Sequence, residues 1–217
     1  KQKDRTIWGK GLNILYESLA NDFIYANPNQ LLVFGDNHDM DRIYTQLGND
    51  LALTKMAMTC LMTLRGIPQV YYGTEVLLDN SQHPGDHGYI RADMPGGWNT
   101  DNVNAFEAKS LNEDQVNMQA YMKKLLNWRK GSKAVTSGKT LHFAPFNDIY
   151  VYFRYVDGEK VMVIMNRNEK TATIDPKRFA EIIGANNKAI DIFSSNVFDL
   201  NNLFEVPPKS TLVLEIK

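Results

Sequence analysis

Phe34-Gly35-Asp36-Asn37-His38-Asp39-Met40-Asp41-Arg42 follows directly on the apolar residues Leu31-Leu32-Val33. A short continuous apolar run halted by glycine and a polar cluster reads as a parallel strand covered on both faces, and in parallel α/β folds functional groups collect at that end of the strand. Upstream, from Trp8 on, Leu12, Leu15, Tyr16, Leu19 and Phe23 recur at helical spacing, and the pattern stops near Asn27-Pro28. Downstream, Asp50 to Arg65 is nearly all apolar or small and halts at Gly66 with Pro68 beyond, which predicts a buried helix with a glycine stop. Ile67 to Tyr72 then reads as a second short strand ended by Gly73. Helix, strand, helix, strand is the order of a parallel α/β unit, and a barrel and a doubly wound sheet both fit it.

Leu77 to Leu111 has no steady period and is rich in Gly, Pro, Asn and Asp, the pattern of a long functional loop. Asn112 and Gln115 form a capping-box pattern ahead of Met118, Tyr121, Met122, Leu125 and Trp128, so a helix is expected to run to Gly131. Beyond Gly131 the period changes from helix to strand. Ile149 to Tyr155 and Val161 to Met165 flank Asp157-Gly158, a hairpin signal. Thr171 to Ile174, Ala189 to Phe193 and Thr211 to Ile216 read as further strands, and Pro176 to Ile183 as a short helix. The expected fold class is therefore α/β followed by all-β: residues 1–132 as α/β and residues 133–217 as an antiparallel β-sandwich.

The bulk properties exclude several functions. With 24 basic and 25 acidic residues and a net charge of −1, the chain carries no electrostatic footprint for nucleic acid or an anionic membrane. No apolar stretch is long enough to span a bilayer. The single cysteine, Cys60, lies in the apolar run Ala57-Met58-Thr59-Cys60-Leu61-Met62 and reads as a buried structural thiol. The start at Lys1, with a helical pattern almost at once, reads as a piece of something longer.

Three readings compete for the polar stretch 36–42. Asn and Asp can simply end a strand and open a turn. A calcium loop needs oxygen donors at alternate positions, whereas His38 and Met40 follow Asp36, so that reading fails on ligand type. The third is an active-site edge where His38 and Asp39 address a polar substrate and Arg42 orients a carboxylate. His83 and His87 have a zinc-like i, i+4 spacing, but Pro84 and Gly85 argue for a loop. Tyr121 and Trp128 fall on the apolar face of their helix and read as core.

Two motifs carry a resemblance. Phe34-Gly35-Asp36-Asn37-His38-Asp39 is similar to the strand-seven signature of the α-amylase family, glycoside hydrolase family 13, in which Asn-His-Asp is followed a few residues later by Arg. Gly66-Ile67-Pro68-Gln69-Val70-Tyr71-Tyr72-Gly73-Thr74-Glu75 looks like the family's strand-eight signature. Leu19 to Tyr25 and Pro28 resemble the cyclomaltodextrinase and neopullulanase branch.

The resemblance implies that residues 1–132 are the last part of a (β/α)8 TIM barrel. It implies that the longer protein hydrolyses α-glucosidic bonds of starch-derived glucans by a two-step retaining mechanism. Asp39 is then the third catalytic-site carboxylate, His38 a sugar ligand, and Asn37, Arg42 and Arg91 further substrate-binding residues, with Arg91 and Trp98 in a segment that lines the cleft in relatives. Glu75 is expected to brace the barrel mouth. Retaining hydrolysis also needs a nucleophile and an acid/base roughly 5 Å apart. The family's motifs for these two carboxylates are not found in residues 1–217, so this chain alone is expected to be inactive.

No cofactor is visible, and calcium is allowed for the longer protein. The expected partner is an α-glucan or maltooligosaccharide. Uncovered barrel edges favour self-association, and starch breakdown favours a periplasmic or secreted site over the cytoplasm. A non-catalytic carbohydrate-binding or partner-docking module is the alternative from another class.

Overall fold

A computed structural model describes residues 10–217. In chain order it contains α1 (Leu12–Ala20), β1 (Leu32–Val33), α2 (Ile43–Gln46), α3 (Leu51–Thr63), β2 (Ile67–Pro68), α4 (His87–Ile90), α5 (Glu113–Gly131) and α6 (Lys133–Ser137). These are followed by β3 (Lys139–Phe146), β4 (Ile149–Val156), β5 (Glu159–Asn166), β6 (Ala172–Ile174), α7 (Ala180–Ile183), β7 (Lys188–Asp191), β8 (Val197–Asp199), β9 (Phe204–Val206) and β10 (Ser210–Ile216). The helix expected from Trp8 begins at Leu12 among the described residues, and Trp8 itself lies outside them. Phe23, expected on its packed face, sits in a 3₁₀ turn and is 82% exposed.

The residues group into two compact units that do not follow chain order. One draws on the described part of Lys1–Leu31, on Thr63–Ile67 and on Trp128–Lys217; the other on Leu32–Met62 and Pro68–Asn127.

In the first unit the antiparallel order β3-β4-β5-β10-β7-β8 forms a six-stranded sheet, and β6-β9 forms a separate two-stranded one. The Asp157-Gly158 turn joins β4 to β5, with Val156 opposite Glu159, as the hairpin signal predicts. Cross-strand rows fill one face: Phe153 opposes Met162, which opposes Leu214, and Val151 opposes Ile164, which opposes Leu212. Ile174 of β6, Val206 of β9 and the α7 region, through Phe179, Ile182 and Ile183, close that face into one core. The other face is also sealed, because Tyr150, Tyr152, Val163 and Val213 are all buried. Burial on both sides is why β4 and β5 read as nearly unbroken apolar runs.

Arg154 interrupts the β4 run yet is fully buried. Its guanidinium donates to the carbonyls of Ala134, Val135 and Gly138 at 3.3, 3.1 and 2.8 Å, to Thr140 Oγ1 at 2.7 Å and to Asn29 Oδ1 at 3.3 Å. A charge can be buried when its donors are matched in this way.

β1 and β2 run parallel: Gln69 N donates to Val33 O within the second unit, and Ile67 N to Leu31 O within the first, both at 2.8 Å. Both strands are shorter than the apolar runs predict. The expectation that β1 is covered on both faces is not met, since Leu32 is 56% and Phe34 39% exposed. Among the described residues β1 and β2 pair only with each other, and these two side chains stay partly open to solvent. α3 does bury Met56, Met58, Cys60 and Met62, and Gly66 follows it with φ +104°. The α5 capping box forms in both directions: Asn112 N donates to Gln115 Oε1 at 3.0 Å, and Gln115 N to Asn112 Oδ1 at 2.9 Å.

Candidate active-site edge

Every side chain of the candidate site lies in the second unit. At the end of β1, Gly35 fits closely, because a Cβ there would stand 2.5 Å from Ile43 Cδ1 and displace it. Asp36 is buried, and its Oδ2 accepts the Ile43 backbone N–H at 2.8 Å and the Thr74 hydroxyl at 3.2 Å. Burial pushes this carboxyl above its ordinary pKa, against the lowering pull of those two donors and of Arg42. Asp36 therefore acts as a brace that ties the strand-seven motif to α2 and to the strand-eight motif.

Asn37 turns the chain outward, since its Oδ1 accepts the Asp39 N–H at 2.8 Å in an Asx turn. His38 and Asp39 are thereby presented to solvent, with side chains 63% and 57% exposed and His38 Nε2 3.2 Å from Asp39 Oδ2. The second oxygen, Oδ1, accepts from Arg91 Nη2 at 3.0 Å. Arg91 also donates through Nε to the His38 carbonyl at 3.0 Å and contacts His87 Nδ1 through Nη2 at 3.0 Å. Arg91 is thus a clamp on the backbone and the carboxylate of the Asn-His-Asp turn, and α4 delivers it. Asp86 caps that helix by accepting the Gly88 N–H at 2.8 Å.

The neighbouring carboxylate is already engaged. Asp41 accepts from Asn80 Nδ2 at 2.6 Å and from Gly85 N at 2.7 Å, and these donors hold its pKa below the usual value. Asn80 also accepts the Arg42 N–H at 2.9 Å, so it stitches the loop after β2 to the motif. Of the three aspartates in the stretch, Asp39 is the exposed one; Asp41 is half-buried with one oxygen engaged, and Asp36 is buried.

Arg42 departs from the expected orientation. It is 1% exposed, and its guanidinium donates to the carbonyls of Ile90 and Tyr72 while stacking 4.1 Å from the Tyr71 ring centroid. Its Nη2 has no hydrogen-bond partner among the described residues. The expected carboxylate contact is replaced by carbonyl and ring contacts, because an interior guanidinium surrounded by backbone takes the nearest acceptors.

His87 is the residue that spacing alone missed. It pairs with Arg91 across one turn of α4 rather than with His83, which stacks on Tyr89 at 3.9 Å between ring centroids. Asp86 followed by an i, i+4 His/Arg pair was the available sequence signal for that short helix.

Residues 10–151 match the family described as Alpha amylase, catalytic domain. This chain belongs to the α-amylase family. Residues 140–215 match the Cyclo-malto-dextrinase C-terminal domain, so this α-amylase-family chain carries part of the catalytic domain followed by an antiparallel sheet domain. It is 32% identical over 170 residues to a cyclomaltodextrin glucanotransferase of Thermoanaerobacterium thermosulfurigenes, a match covering 78% of this chain and 21% of that protein. A cyclomaltodextrin glucanotransferase of Niallia circulans is 33% identical with the same coverage. The chain thus spans about a fifth of the length of the curated relatives it matches.

Among solved structures, the α-amylase of Geobacillus thermoleovorans complexed with acarbose superposes with a TM-score of 0.73 at 20% identity, over 95% of this chain and 43% of that one. A cyclomaltodextrin glucanotransferase with a three-domain ABC distribution gives 0.69 at 25% identity, over 96% and 41%. No helix among the described residues is long and apolar enough to cross a membrane.

Proposed function

We propose that this chain forms one wall of the active site of an enzyme that acts on α-glucosidic bonds in starch-derived glucans. The observation that carries the reading is the Asp39 carboxylate, open to solvent at the end of β1 and held by Arg91 at 3.0 Å and His38 at 3.2 Å. A carboxylate fixed on both oxygens by cationic or polar donors keeps lone pairs for sugar hydroxyls and favours positive charge developing on a distorted ring. Asp39 is then the transition-state carboxylate, His38 the sugar ligand beside it, Arg91 the residue that fixes their turn, and Asn37 the turn former.

The nucleophile and the acid/base belong to motifs that residues 1–217 do not contain, so the chain by itself binds glucan without cleaving it. In the complete protein the same wall serves hydrolysis in the manner of the cyclomaltodextrinase and neopullulanase branch. It would equally serve transfer to a sugar acceptor, the activity named for the glucanotransferases it resembles. Among the described residues no group of three or more His, Cys, Asp or Glu side chains converges.

Calorimetric titration of the chain with maltoheptaose tests the reading. Binding that weakens about tenfold in Asp39→Ala, with unfolding unchanged, is expected. No binding at millimolar sugar, or affinity indifferent to Asp39 and Arg91, would refute it.

A further inference from the structure

Arg91 carries more of the candidate site than one long side chain ordinarily can. It is half-exposed, and a surface ion pair between a flexible arginine and a carboxylate holds geometry weakly. Here three acceptors fix the guanidinium. Nε donates to the His38 carbonyl at 3.0 Å, and the two hydrogens of Nη2 go to Asp39 Oδ1 and to His87 Nδ1, each at 3.0 Å. Two of those acceptors belong to the turn that Arg91 clamps. His87 is the third, and it lies on Arg91's own helix.

Helix geometry places it there. Residues four apart share a helix face, and the Arg91 N–H donates to the His87 carbonyl at 3.1 Å to close the turn of α4. α4 is itself pinned: Ile90 is buried, its carbonyl accepts Arg42 Nε at 2.9 Å, and Asp41 accepts the Gly85 N–H at 2.7 Å just ahead of the helix. The imidazole therefore rides on a held backbone.

The chemistry of the contact fixes the state of the ring. A guanidinium only donates, so His87 must be the acceptor, with Nδ1 bare and the ring proton on Nε2. Nδ1 stands 3.9 Å from Asp39 Oδ1, beyond hydrogen-bond reach, so His87 meets the carboxylate through Arg91. A proton on Nδ1 would remove the acceptor and set a second cation against the guanidinium.

We propose that His87 is a positioning residue of the glucan site: its bare Nδ1 holds the Arg91 guanidinium in the orientation from which Nη2 reaches Asp39. The proposal rests on the glucan reading of Asp39 and adds the residue that keeps the clamp on that carboxylate in place.

The test is calorimetric titration of the full chain with maltoheptaose, run as a double-mutant cycle. His87→Leu, which keeps bulk and loses the acceptor, is expected to weaken binding about fivefold. His87→Asn, whose Oδ1 sits at the same distance along the side chain as Nδ1, should stay within about twofold of the parent. In an Arg91→Ala background His87→Leu should cost nothing further, because its effect passes through the guanidinium. The His87 side chain is more than half exposed, so neither His87 variant should move the melting temperature. Nitrogen NMR of the side chain in mildly alkaline solution should find the proton of the neutral ring on Nε2.

If Asp39→Ala and Arg91→Ala lose affinity while His87→Leu keeps it, the positioning role is overturned and the glucan reading stands. The role is equally overturned by a His87→Leu loss that persists in full without Arg91, by His87→Asn binding no better than His87→Leu, or by a neutral ring protonated at Nδ1. If the parent binds no maltoheptaose, both readings fall.

Discussion

The unit built around β3 to β10 and the unit that carries Asp39 use their polar residues in opposite ways. In the first, Arg154 makes five hydrogen bonds inside the core, and Asn166 donates to the carbonyls of Lys170, Val206 and Pro207 at 3.1, 3.1 and 2.8 Å, while Thr211 Oγ1 is buried without a hydrogen-bond partner among the described residues. Its strands are eight residues long in β3, β4 and β5, and apolar rows cross them in register. In the second, the strands are two residues long, and His38, Asp39 and Trp98 face solvent. Regular pairing supports stability, whereas braced loops support presentation. The glycines and the Asp36 and Asn80 braces do in the second unit what the ladder does in the first.

The largest effect that would break this contrast is in the β-unit. Phe153 is fully buried, with ring contacts to Phe143 at 5.9 Å and Phe179 at 5.8 Å between centroids. Phe153→Ala should cost about 3–5 kcal/mol in urea unfolding and strip hydrogen-exchange protection from β4, β5 and β10. A cost under about 1 kcal/mol would mean that the rows across the sheet do not carry its stability.

Next comes a loop brace. Gly73 has φ +83°, and a Cβ there would lie 2.2 Å from Leu78 Cδ1. Gly73→Ala should destabilise by about 1–3 kcal/mol and, by displacing Thr74 from Asp36, loosen the Asn-His-Asp turn. Unchanged unfolding would show that a flexible Leu78 absorbs the intrusion and that the loop is less constrained than its geometry implies.

The smallest effect sets the two units against each other in pH. Burial lowers the His142 pKa from 6.5, opposed in part by Asp22, and the ring is hydrogen-bonded to Tyr150 Oη at 2.8 Å. Its folded value is depressed, so the stability linked to it is present above 6.5 and lost as pH falls through the folded value. Asp36 runs the other way: its folded value is raised above 3.8, so the linked stability is present below 3.8 and lost as pH rises through the folded value. His142→Gln should flatten the acid-side loss below pH 6.5, and Asp36→Asn should remove the loss above 3.8, each read from unfolding at a series of pH values. Variants whose pH profiles coincide with the parent's would remove both residues from the linkage.

Much of the fold follows from local pattern. The Asp157-Gly158 hairpin, the Asn112/Gln115 capping box and the glycine stop after α3 form because each depends on residues within a few positions of one another. β3, β8 and β9 escaped the reading. β3 contains Pro145 and shifts register between Phe143 and Phe146, while β8 and β9 are three residues each and exist only through their partners.

At the candidate site, the motifs located Asn37, His38, Asp39 and Arg91, but not that α4 would bring His87 to Arg91 or that Arg42 would turn inward. The sequence by itself determined which residue types stand behind the apolar run Leu31-Leu32-Val33, because motif order and strand-end chemistry are properties of neighbours in the chain. Only the tertiary structure decided how exposed each aspartate is, because burial and donor supply gave Asp36 the Ile43 N–H and the Thr74 hydroxyl, gave one oxygen of Asp41 the Asn80 amide and the Gly85 N–H, and left Asp39 in water with Arg91.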